Sequence, residues 1–284
     1  MINTYLKVKT KNLTQRPPTL EEVKSSEKIL FALFTRYGDT IIDLVVIKEF
    51  IEIYPNKNYL VICPKQMSPY VREILPNIEC FSFNKRNPFD FFRVERMLKK
   101  RHFDIGFNPW SNGIDGCYFI SLCKKYLCNR DFSHPIVINH YQMVRQYLFL
   151  EDKPWKMRIL KMKESYKKVL ICPQSTDPDR SIDALQVKKI ILDLGSKVLG
   201  SEITIAAMDE SYFTQGCFRF RFKKTRKSSS NFLNLVKNSD LLICSDSAPL
   251  HLAAALGKDF IAVFKTTNPE IVLNVDTKLT IITQ

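Results

Sequence analysis

Apolar positions in this chain cluster in short unbroken runs separated by longer mixed stretches. That is the alternation expected of strands buried on both faces and of the helices that cover them. After Lys28, ILFALFT reads as a strand ending in the loop Arg36-Tyr37-Gly38-Asp39. Ile41 to Ile53 is too long for a strand and reads as a buried helix closed before Pro55. YLVIC (59–63) is the next strand, Gln66–Leu75 a helix stopped by Pro76, and IECFSF (78–83) a strand. Asp90–Arg101 reads as helix, FDIGFN (103–108) as strand, Gly113–Leu127 as helix, and IVIN (136–139) closes this half.

Residues 151–167 are charged, carry Pro154 and read as a connection. A second series then begins. VLICP (169–173) is a strand and Asp183–Leu199 a helix, with EITIAAM (202–208) and FRFRF (218–222) as strand candidates. Ser229–Asn238 is a helix, LLIC (241–244) a strand, Pro249–Leu256 a helix and FIAVF (260–264) a strand. The pattern predicts an α/β protein with parallel sheets in two Rossmann-like domains facing a cleft. Their expected bounds are 1–150 and 168–284, with 151–167 between them.

The 284 residues, 45% apolar and 25% charged, fit two globular domains with real cores and exclude a mainly disordered chain. No apolar run approaches the ~18 residues of a membrane span, and the polar, Lys-rich start lacks the apolar stretch of a signal segment. A cytoplasmic protein is expected. The eight cysteines form no C-x-x-C pair and are expected to be reduced and structural.

Charge changes the picture more. Lys and Arg outnumber Asp and Glu by 43 to 29, a net +14, and the excess is clustered. Residues 85–101 carry seven basic and two acidic side chains, 153–168 seven and one, and RFRFKKTRK (219–227) six and none. Such surfaces attract nucleic acid, phosphorylated sugars or an anionic membrane face; solvated Lys faces are the plainer alternative.

The densest candidate chemistry lies in LLICSDSAPLHLAAALGKDFIAVF (241–264). A buried strand runs into a polar loop, and a helix opens near Ser247 with Pro249 in its first turn. That helix start faces the carboxyl end of a strand, where its N–H groups and dipole suit a phosphate, with His251 in reach. The alternatives are that Asp246 or Ser247 is only a cap and His251 an ordinary surface histidine.

The stretch SDSAPLHLAAALGKDFIAVFKTTNPE resembles the signature of the ADP-heptose:lipopolysaccharide heptosyltransferases, glycosyltransferase family 9. The likeness runs through Asp246, Ser247, His251 to Gly257 and Thr267-Asn268-Pro269. Ala248 stands where the family usually has glycine, and Lys265 where glycine precedes the T-[DN]-P run. The segments ILFALFTRYGD and VLICPQSTDPDR resemble the family's opening strand and loop and the first strand of its donor domain. Arg180 replaces a lysine, and a Trp-Pro pair is absent. The family pattern also leads to an expectation of further helices beyond the point where this sequence stops.

The resemblance implies the GT-B fold and inverting transfer of a sugar, heptose above all, from a nucleotide-diphosphate donor such as ADP-heptose. The implied acceptor is a lipopolysaccharide or other envelope glycan at the cytoplasmic face of the inner membrane. It implies Asp39 as general base. It places Ser175, Thr176, Arg180, Glu210, Asp246, Ser247, Ala248 and His251 at the donor diphosphate, with neither cofactor nor metal. Beside this, Asp39 read alone is an N-cap of the following helix, Arg180 a loop charge, and Ser175 and Thr176 turn residues before Asp177-Pro178. Two other function classes stay open: a GT-B-fold binding or scaffold protein without turnover, and a basic nucleic-acid binder.

Overall fold

Strand β1 (Lys28–Ala32) has no exposed residue and is flanked on both sides by parallel partners, which is why its sequence is a continuous apolar run. The computed structural model describes residues 2–11, 13–14, 16–84, 87–109, 113–128, 139–151, 162–207, 221–224, 229–269 and 282–283. It divides into two units, Met1–Lys153 and Pro154–Gln284.

In the first unit, β1 is followed by α3 (Tyr37–Ile53), β2 (Asn58–Pro64), α4 (Ser68–Ile74), β3 (Glu79–Phe83) and α5 (Pro88–Arg101). Then come β4 (Ile105–Asn108), α6 (Ile114–Ile120), β5 (Lys125–Cys128) and α7 (His140–Tyr147). Two helices precede them, α1 (Ile2–Thr10) and α2 (Leu20–Ser25), where the sequence suggested only a polar lead-in. The sheet runs β3-β2-β1-β4-β5, all parallel. Alternate residues of β1 serve opposite layers: Phe31 stacks with Phe107 and meets Phe50 of α3, while Leu30 and Ala32 join Phe83, Phe91 and Phe119.

Three expectations for this unit are corrected. Asp39 lies in the first turn of α3 rather than in a loop, and the N-cap is Arg36, which makes no side-chain cap bond. Gly38 is helical too. The helix expected over Gly113–Leu127 ends at Ile120, turns, and becomes β5, because Lys124 and Lys125 give their N–H groups to Phe103 and Asp104. Packing here is tight: a Cβ on Gly106 would sit 2.8 Å from Cys123 Sγ, and one on Gly116 2.3 Å from Asn108 Nδ2. Cys117 and Cys128 are joined as a disulfide between α6 and β5, so not all eight cysteines are reduced. Reading one helix through both positions hid their proximity. Most of IVIN lies outside the described residues.

The second unit contains β6 (Lys168–Cys172), α8 (Ala184–Leu194), β7 (Glu202–Ala207), β8 (Arg221–Lys224) and α9 (Ser229–Asn238). It continues with β9 (Leu241–Ser245), α10 (Ala248–Ala255), β10 (Asp259–Phe264) and β11 (Ile282–Thr283). Its sheet is parallel throughout, in the order β11-β10-β9-β6-β7-β8. The chain therefore reverses direction across the sheet between β6 and β9, and between β1 and β4 in the first unit. At such switch points open α/β sheets hold ligands. Helix α8 is opened by a capping box between Asp183 and Gln186, and stops before the expected Leu199 because Gly195–Val198 tightens into a 3-10 turn.

Candidate active site

Each switch point carries one cluster of functional side chains. In the second unit, the loop after β6 folds back so that Ile182 N–H donates to Pro173 O at 2.8 Å. The Ser181 hydroxyl accepts from Ser175 N–H (3.0 Å), and the Ser175 hydroxyl accepts from Asp177 N–H (3.3 Å). Ser175 is thus part of the loop's own frame, and Thr176 is exposed on it. Lys265, noted above only as a departure from the family pattern, reaches across from the end of β10 and donates to Ser181 O at 2.7 Å.

This frame carries Arg180 to Asp246 at the end of β9, with Nη1 3.2 Å from Oδ2, while Nε lies 3.3 Å from Asp177 Oδ2. The arginine side chain is 40% exposed and Asp246 is buried. Burying a carboxylate demands a partner, and Arg180 supplies it. Ser247 is the N-cap residue of α10 but caps nothing through its side chain; its hydroxyl turns back to Ser245 (Oγ to Oγ 3.1 Å). The cap role is corrected: the first-turn N–H groups at Ala248 lack a capping oxygen from Ser247. His251 sits buried in the same helix, one turn in. The structure brings Arg180 and Asp246 into direct contact and puts Ser175 on the loop that carries Arg180. Ser247, Ala248 and His251 share the start of α10. Glu210 lies outside the described residues.

In the first unit, Asp39 opens α3 just past the end of β1. One turn on, Asp43 is fully buried in the apolar run IIDLVV. Between them stands His140, the first residue of α7, with Nδ1 3.6 Å from Asp39 Oδ1 and Nε2 3.4 Å from Asp43 Oδ1. Burial holds His140 well below the ordinary imidazole range, at about 4, against the opposing pull of Asp39. Burial also raises Asp39, with the Asp43 charge adding to it and His140 and Arg36 opposing. Asp43 is pushed well up by burial, and its Oδ2 has no hydrogen-bond partner among the described residues. Farther along the same two helices, Glu49 accepts from both Tyr141 and Arg145, which clamps α7 to α3.

Sequence reading missed His140, which lies in a segment with no assigned element. It also missed Asp43, whose one legible signal was a lone carboxylate in an apolar run. Among the described residues no group of three or more His, Cys, Asp or Glu is arranged to hold a metal, and no helix is long and apolar enough to cross a membrane.

Residues 228–284 match the model of glycosyltransferase family 9 (heptosyltransferase). No curated protein matches the chain by sequence. Among solved structures, a glycosyl transferase family 9 protein from Veillonella parvula superposes with a TM-score of 0.69 at 15% identity, covering 93% of this chain and 87% of that one. The E. coli heptosyltransferase WaaC, solved with ADP, gives 0.63 at 10% identity, covering 89% and 93%. E. coli ADP-heptose lps heptosyltransferase II gives 0.62 at 13% identity, covering 90% of each chain. This chain has the GT-B fold of the family 9 glycosyltransferases and carries that family's sequence signature over residues 228–284.

Proposed function

We propose that the protein is an inverting glycosyltransferase that moves a sugar, heptose, from a nucleotide-diphosphate donor to an envelope glycan. The observation that carries this reading is the cluster at the second switch point. Arg180, held by Asp246, stands on the loop after β6, and on the next strand a helix start bearing His251 lies inside the family signature. A diphosphate there would meet a guanidinium and helical N–H groups, both suited to the charge that develops on a departing nucleotide. The similar structure WaaC was solved with ADP, which favours ADP-heptose as donor. Asp39, at the ligand end of the first sheet, is the general base in this reading. It takes the proton from the acceptor hydroxyl as that oxygen attacks the anomeric carbon and the bond to the diphosphate breaks. No metal is required, because Arg180, His251 and backbone donors carry the neutralisation.

The outer face of α5 supports an anionic membrane or glycolipid partner. Phe89 (86% exposed), Phe92 (40% exposed), Arg93, Arg96 and Lys100 are spaced i, i+3, i+4, i+7 and i+11, which puts them on one side of the helix. The decisive experiment is incubation with ADP-heptose and a heptose-deficient lipopolysaccharide acceptor, in EDTA, with product and released ADP both measured. Transfer is expected to survive EDTA. Absence of transfer with ADP still binding would favour the scaffold reading, which has its own support in Asp246 already occupying Arg180. Activity lost to EDTA and restored by magnesium would overturn metal independence and turn attention to Asp177 and Asp179.

A further inference from the structure

The carboxylate of Asp43 poses a problem that the reading above leaves unsolved. It sits mid-helix, wholly buried, with no cation beside it among the described residues. An ionised carboxylate so placed carries a desolvation cost that no cation among the described residues offsets. A neutral carboxylic acid costs far less, and it gains something a carboxylate lacks, an O–H donor. The atom 3.4 Å from that carboxyl is Nε2 of His140, and the other ring nitrogen faces Asp39 at 3.6 Å.

We propose that His140 is a positioning residue for Asp39, and that Asp43, as a neutral acid, fixes the tautomer in which His140 does so. The inference rests on Asp39 being the base. The Asp43 O–H donates to Nε2, which leaves the ring proton on Nδ1, facing Asp39 Oδ1 across 3.6 Å, from where a small side-chain shift completes the donation. One oxygen of Asp39 is thereby pinned and the other is left for the acceptor hydroxyl. Among the described residues, the charged and titratable groups facing the ring include Asp39 and Asp43 from α3, with Arg36 just ahead of Asp39. The same logic of a third group that orients a base is familiar from hydrolase triads, here with a carboxylic acid behind the imidazole. Docking of α7 does not depend on the ring alone, because Glu49 holds Tyr141 and Arg145 farther along. Variants at His140 and Asp43 are therefore expected to fold.

The test needs no turnover at first. The chain has four histidines, so ring nitrogen spectra of the labelled protein at neutral pH can be assigned by single substitution. The expected result is a neutral His140 with its proton on Nδ1, kept in Asp43→Asn, whose amide still donates, and mixed in Asp43→Val. A proton on Nε2 in the wild type, or a ring unaffected by Asp43→Val, overturns the inference.

Turnover of ADP-heptose, followed as ADP release, supplies the second readout. His140→Ala removes a donor to the ionised base, so the acid limb of the pH–kcat profile should move up by about one pH unit with KM unchanged. Asp43→Val should cost about tenfold in kcat, most of it recovered in Asp43→Asn. A profile that does not move in His140→Ala refutes the positioning role. If Asp39→Asn is silent, the base assignment fails instead, whatever the ring spectrum shows.

Discussion

The two switch points solve the problem of buried charge in opposite ways. In the second unit, buried Asp246 is paired with a part-exposed arginine, and the pair is open to competition from any anion that suits Arg180 better. In the first, Asp39, His140 and Asp43 are packed together with the ring and Asp43 deep in the fold, and burial pushes all three toward their neutral forms. In the proposed reading, one arrangement presents an arginine for anion binding, and the other limits the charge around a single base. The same β-strand geometry, a loop and helix start beyond a parallel strand, thus supports anion recognition or proton chemistry according to which side chains neutralise it.

The sharpest way to break the comparison is Asp39→Asn. Loss of the base should lower turnover about 10²- to 10⁴-fold while ADP affinity, measured by calorimetry, stays near wild type. Wild-type single-turnover rates in this variant would remove the proton chemistry from the first unit.

Next in size is a contrast in pH dependence, read from urea unfolding between pH 4 and 6.5. His140 has its folded-state value lowered to about 4. The unfolded chain therefore takes up that proton first, and stability is lost as pH falls through this window, by up to about 3 kcal/mol. Asp39 and Asp43 are raised, so their contribution has the opposite sign and is lost as pH rises. The slopes oppose each other in the wild type. Asp43→Asn should tilt the profile so that stability rises with pH, and His140→Gln should tilt it the other way. Matching profiles in both variants would show that the three groups do not share one environment.

Smaller effects are expected in the second unit. Arg180→Ala should weaken ADP binding about tenfold, as expected for a lost charge-assisted contact, and lower stability by about 1 kcal/mol, since the exposed arginine is partly screened. Smaller still, Ser247→Ala and His251→Ala should each weaken ADP binding severalfold with the fold intact. Equal affinity in both would place the anion site elsewhere.

How much of this was legible in the sequence differs between the same two regions. The second unit was readable nearly strand by strand, because each buried strand is a continuous apolar run and the turn at Ser247 is punctuated by Pro249 and Gly257. Its site residues were named from the signature, but their partners were not: no spacing rule joins Arg180 to Asp246 across a sequence separation of 66. In the first unit, Asp39 was named and misplaced by one turn, since Arg36 caps through its backbone and gives no sequence cue. His140 was invisible because α7 spans only His140–Tyr147 and follows a stretch with no clear periodicity. The disulfide between Cys117 and Cys128 was hidden by a run, YFISLCKKYLC, whose apolar residues resume after Lys124-Lys125 and so mask the change from helix to strand.

The clamp between Glu49 and α7 has a consequence for the order in which this molecule matures. Its contacts, and those of His140, join residues 92 to 101 positions apart, so they close only after most of the first sheet exists. The sheet can therefore be complete while Asp39, the proposed base, still lacks its imidazole. In the finished protein, α7 docks through side chains and contributes no strand, so it is expected in the part that opens before the whole does. An excursion that lifts α7 alone would expose Asp39 to water and silence it without unfolding the domain. Amide exchange across 140–147 would register such openings as faster than those of β1 beside it.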